Sequence, residues 1–133
     1  MDQALIANRR DFYRVKTVAL LACAPVPAAS SGGDHIKQRL PRIIRYWVNI
    51  NISLGGILFP SKWKYDCGDV VEMTIRPIEG KDIRTLAKVV RVEDTDTDLI
   101  MVAARFIQLG VEDERRLASL IIDCQRRECI GRR

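Results

Sequence analysis

The sequence is poor in the residues that most chemistry needs. It has one histidine, His35, and no nucleophile–base pair is visible around it, so an enzyme is not expected. The four cysteines, Cys23, Cys67, Cys124 and Cys129, include no C-x-x-C pair. Without paired ligand spacing a structural zinc site is not expected, and no metal or cofactor is assigned. Reduced thiols fit a cytoplasmic protein. Only eight aromatic residues occur, and few share a face, which speaks against a stacking platform for single-stranded nucleic acid. No run of eighteen apolar residues exists, so no helical membrane span is expected. The first ten residues place their arginines after the apolar positions, the reverse of a secretion signal, and a cytoplasmic location follows as the expectation. The net charge of +5 is a mild tilt toward anionic partners, too small to argue for duplex DNA. There are no internal repeats and no helical pattern between strands, which excludes a parallel sheet.

What is present is strand pattern followed by one helix. The length of 133 residues fits a single domain, 1–133, with its own core. Val15 to Cys23 reads as a first strand closed by Pro25 and Pro27. Residues 28–34 read as a loop of linker-like composition. Ile44 to Ser53 alternates, with Ile44, Tyr46, Val48, Ile50 and Ile52 on one face. Gly56 to Phe59 is a short strand stopped by Pro60. Trp63 follows in a loop, as a core edge or a lid over a ligand. Asp69 to Arg76 alternates cleanly, with Val71, Met73 and Ile75 inward. Arg84 to Val92 alternates imperfectly, because Lys88 falls on the face of Leu86, Val90 and Val92. The acidic turn Asp94–Asp98 lacks the glycine and distant glutamate of a calcium loop. Leu99 to Phe106 is the last strand. From Val111 the period changes: Leu117, Leu120, Ile121 and Cys124 share one helical face. Glu112, Asp113 and Glu114 open that helix, and Arg126 and Arg127 lie near its end, both suited to the helix dipole. About six strands and a terminal helix make an antiparallel barrel.

Two stretches carry candidate binding residues. Asn51-Ile-Ser-Leu-Gly-Gly56 ends the alternating strand, and strict alternation sends Asn51 and Ser53 to the outer face together. Gly55 and Gly56 can adopt positive φ and allow close approach to the backbone. An amide, a hydroxyl and exposed N–H groups converging there suit a polar anion; a plain hairpin turn with solvated side chains is the other reading. Upstream, Arg9, Arg10 and Arg14 lie within six residues. Guanidinium forks can grip phosphates or guanine edges, or simply form a solvated basic run.

Arg10-x-x-x-Arg14 ahead of the first strand, with Asn51-x-Ser53-x-x-Gly56 after the second, resembles the PilZ domain family. Ala103-Ala-Arg-Phe106 and the helix after it are also similar. The resemblance covers nearly the whole chain. It implies an all-β, six-stranded antiparallel PilZ-type split barrel with a C-terminal α-helix. It also implies a receptor for the bacterial second messenger cyclic di-GMP, contacted by Arg9, Arg10, Arg14, Asn51, Ser53, Gly55 and Gly56. Gly56 would leave backbone room for the ligand. Residues 1–14 would be mobile and fold over the dinucleotide on binding, signalling to a downstream protein partner. Some members carry a tryptophan on a late strand where this chain has Arg91, which can stack on a base instead. The alternative is a PilZ-fold adaptor in pilus, flagellar or exopolysaccharide control that does not bind the nucleotide.

Overall fold

The computed structural model describes residues 14–26, 42–43 and 47–131. The leader through Tyr13, with Arg9 and Arg10, the 28–34 loop, and the Ile44–Tyr46 part of the alternating run lie outside the described residues. The strands are β1 (Val15–Pro25), β2 (Arg42–Ile43), β3 (Val48–Ile52), β4 (Gly56–Ser61), β5 (Val70–Pro77), β6 (Ile83–Asp94) and β7 (Ile100–Leu109), followed by helix α1 (Val111–Gly131). The order β1-β3-β4-β7-β6-β5 closes by pairing β5 back onto β1, giving a six-stranded antiparallel barrel. The two-residue β2 adds to β1 at Ala22 and Cys23.

Period-2 patterning places the core. Val48, Ile50 and Ile52 of β3 point in, as do Val71, Met73 and Ile75 of β5. Phe59 is 1% exposed and stacks edge-on against Tyr65, ring centroids 6.2 Å apart. Leu117, Ile121 and Cys124 of α1 complete this core, as the helical spacing predicts. The helix start is tied down where Asp113 Oδ1 accepts the Arg84 backbone N–H at 2.9 Å.

The imperfect alternation of β6 has a physical cause. Ile83, Thr85, Ala87 and Val89 all point in. The register against β7 then shifts between Val89 and Arg91, so Val90 is an extra, unpaired residue. Arg91 comes out on the solvent face opposite Ala103, and Lys88 was never inward. Trp63 is 37% exposed, and its backbone N–H donates to Ser61 Oγ at 2.9 Å. Two other expectations need correction. Pro60 does not stop β4, which continues to Ser61 beside β7. Helix α1 runs on to Gly131, so Arg126 and Arg127 are not in its last turn; Arg127 instead donates to Glu79 at 3.0 Å.

At Gly56, β4 leaves no room for a side chain beside β7. A Cβ there would run into the Ala104 carbonyl oxygen and lie 3.3 Å from the Arg105 Cα. The obstructing atoms are backbone, so they yield only if the strands part.

Three outcomes test this account. Phe59→Ala should cost about 3–5 kcal/mol in urea unfolding, since it leaves a cavity in the middle of the barrel. Gly56→Ala should cost about 1–3 kcal/mol by the same measurement, because overpacking against backbone cannot relax through a rotamer. The third concerns the β5–β6 hairpin, where Arg76 donates to both Asp82 carboxylate oxygens at 3.0 and 3.1 Å. That hydrogen bond and the guanidinium charge hold the Asp82 carboxyl below its usual range. A depressed folded pKa stabilises above the unfolded value and stops doing so as pH falls through the folded one. Thermal melts of Asp82→Asn should therefore show a small loss at neutral pH that vanishes in acid.

Candidate functional site

The turn between β3 and β4 is built from its own side chain and from β7. Ile52 pairs with Ile57, leaving Ser53, Leu54, Gly55 and Gly56 to reverse the chain. The Ser53 N–H donates to the Gly56 carbonyl at 2.9 Å, and the Gly55 N–H donates to Ser53 Oγ at 3.1 Å. From β7, the Phe106 N–H donates to the Gly55 carbonyl at 2.9 Å. A serine at this position supplies a short acceptor that a turn N–H needs. The turn is thereby fixed by the protein's own hydrogen bonds.

This geometry corrects parts of the sequence reading. Ser53 does not stand on the outer face beside Asn51; it is 7% exposed and its oxygen is already an acceptor within the turn. Neither Gly55 nor Gly56 takes positive φ; among the described glycines, Gly68 and Gly80 do, at 98° and 110°. The N–H groups of Ser53 and Gly55 are used internally rather than left bare. The space beside Gly56 is filled by β7 rather than open to a ligand.

The predicted residues nonetheless meet. A groove of about 630 Å³ on the outer barrel surface is lined by Arg14, Asn51, Ser53, Gly55, Gly56 and Arg91 together. That size suits a small-molecule ligand. Strand register explains the convergence. Asn51 lies opposite Lys16 on β1 and Leu58 on β4; Leu58 lies opposite Ala103, and Ala103 opposite Arg91. Directly opposed residues share a face, so these five form one outward row across five strands. Arg14 precedes Val15, which pairs with Ile52, so it flanks the Ser53 turn from the β1 side.

The sequence reading missed two features. Leu54, Leu58, Val90 and Ala103 give the groove an apolar floor. Arg105 lines the groove as well, opposite Gly56. The alternation of Ala103-Ala-Arg-Phe106 marks Arg105 as outward, but only the β4–β7 register shows what it stands beside.

Among the described residues, three guanidiniums and no carboxylate line the groove. Arg91 is partly engaged from outside it, with Nε 3.0 Å from Glu93 Oε2 on the exposed surface. Flat apolar floor and cationic rim together accept a molecule that has both aromatic faces and negative charge.

Comparison with known proteins agrees with the fold. The structure resembles the inhibitor of motility MotI/DgrA of Bacillus subtilis, with a TM-score of 0.59 and 21% identity, covering 90% of this chain and 51% of that one. It resembles Escherichia coli YcgR, solved in complex with c-di-GMP, with a TM-score of 0.63 and 15% identity, covering 92% of this chain and 49% of that one. A tetrameric PilZ domain from Xanthomonas campestris gives 0.64 and 13%, covering 96% of this chain and 95% of that one. The chain thus spans about half the length of MotI and of YcgR. No curated protein matches. The PilZ domain profile matches residues 8–123, from ahead of β1 into α1, and with the barrel and its terminal helix this shows that the chain belongs to the PilZ domain family.

Proposed function

We propose that this chain is a cyclic di-GMP receptor without catalytic activity, passing its signal to a protein partner. The observation that carries the reading is the single groove in which Arg14, Asn51, Ser53, Gly55, Gly56 and Arg91 converge from separate parts of the sequence. The family and the YcgR complex with c-di-GMP support the same ligand.

The chemistry of the groove suits such a dinucleotide. Its phosphates would meet guanidiniums, which make short charge-assisted hydrogen bonds. Its guanines would lie on the floor of Leu58, Val90 and Ala103, with Arg91 free to stack once it leaves Glu93. That exchange is inexpensive, because an exposed ion pair contributes only about 0–1 kcal/mol. Asn51 and the Ser53 hydroxyl proton would supply neutral hydrogen bonds at the rim. Arg9 and Arg10 would close over the ligand from the leader, and this ordering is the proposed signal.

A second reading, an adaptor that ignores the nucleotide, draws on the exposed Val111 and Ile122 of α1, which offer apolar surface to a protein.

Calorimetry separates the two. The receptor reading expects cyclic di-GMP to bind with Kd well below about 100 μM. Arg14→Ala should then weaken binding by about 1.5–3 kcal/mol, the worth of a charged hydrogen bond. Absence of heat with the wild-type chain, alongside specific capture of a protein partner, would favour the adaptor.

A further inference from the structure

We infer that Arg105 on β7 is a ligand-contacting residue of this groove, and that Gly56 is a glycine in order to bring it there. The inference rests on the receptor reading and assigns a contact that reading does not contain.

Three observations carry it. The first is position. Arg105 is paired directly with Gly56 across the β4–β7 seam. Its Cα lies 3.3 Å from where a Gly56 Cβ would be, so any larger residue at 56 would drive β7 and its arginine away. Arg14 flanks the Ser53–Gly56 turn from β1 and Arg105 flanks it from β7. An anion lying over that turn meets a guanidinium on each side. Arg91 stands further off, three strand spacings from Asn51 along the outward row, or about 14 Å at the usual separation.

The second is charge. Arg105 is exposed and lies directly opposite Lys88 on β6. Like charges facing each other across two strands are destabilising. Among the described residues neither has a carboxylate within ion-pairing distance, whereas Arg76, Arg91, Arg115, Arg116 and Arg127 each have one. The pair is a local excess of positive charge that a bound anion relieves.

The third is order. The Phe106 N–H holds the Gly55 carbonyl, so the residue after Arg105 is clamped to the turn. The guanidinium therefore extends from a fixed point, with only its own side-chain rotors to settle. Such anchoring reduces the entropy cost of making a contact.

The test is a calorimetric titration of the full chain with cyclic di-GMP at one fixed salt concentration. Arg105→Ala should weaken binding about 10- to 150-fold, as expected for a lost charged hydrogen bond. Arg105→Lys, which keeps the charge without the fork, should recover part of that loss. Arg84→Ala, an exposed arginine outside the groove, should bind as wild type. Thermal melts of all variants should coincide within a few degrees, showing that the barrel is intact. Wild-type affinity in Arg105→Ala, with binding lost in Arg14→Ala, would overturn this inference and leave the receptor reading standing. No binding by the wild-type chain itself would remove the receptor reading and this contact with it.

Discussion

The lack of room for a Cβ between β4 and β7 at Gly56 is the constraint on which the rest depends. The two strands meet along six paired positions, from Gly56 with Arg105 to Ser61 with Ile100. At one end of that seam there is no room for a Cβ. Close contact there lets Phe106 reach the Gly55 carbonyl, which fixes the turn that carries Ser53. The same contact joins the β1-β3-β4 side of the barrel to the β5-β6-β7 side. Were the strands to separate by one methyl group, the turn, the groove and the seam between the two halves would shift together. In this chain the glycine that lets β4 lie against β7 also shapes the groove.

Charge is distributed to match. A surplus of five positive charges over 133 residues is unremarkable as a total. Elsewhere on the surface several arginines have acidic neighbours: Arg76 with Asp82, Arg127 with Glu79, and Arg115 and Arg116 with Glu112. Around the groove, Arg14 and Arg105 have none among the described residues, and Arg91 has Glu93 in an exposed pair. Exposed pairs of this kind contribute little to stability. Uncompensated charge is found, among other places, at the groove, where Arg14 and Arg105 stand beside an apolar floor at the end of a tied turn. A low-dielectric floor strengthens whatever electrostatic contact forms over it.

The barrel was legible in the sequence because its inward positions obey period two and its helix obeys period 3.6. Val71, Met73 and Ile75, or Leu117, Ile121 and Cys124, could be read directly and are buried. The meeting of Arg14 with Asn51 and Ser53 was legible only through motif resemblance, since spacing alone does not reveal which strands pair. Ser53 shows where alternation misleads. It follows Ile52, and a continuing strand would send it outward; the chain instead turns at that residue and folds the hydroxyl into the bend. Gly56 shows a second limit. A glycine that serves by having no Cβ is indistinguishable, in sequence, from one that serves by positive φ. Arg105 shows a third, because its neighbour across the seam is 49 positions away in the chain.

The bulge at Val90 illustrates how the fold resolves a conflict in favour of the site. Along β6 the inward set is Ile83, Thr85, Ala87 and Val89, and unbroken alternation would bury Arg91 next. An ionised guanidinium within an apolar barrel is far costlier than one lost ladder position. Inserting Val90 resets the phase, turning Arg91 out opposite Ala103. The cost of that reset is a 50% exposed valine. That valine lines the groove beside Arg91 and adds to its apolar surface. One irregularity thus keeps a charge out of the core and gives the groove one of its three described arginines and part of its apolar lining.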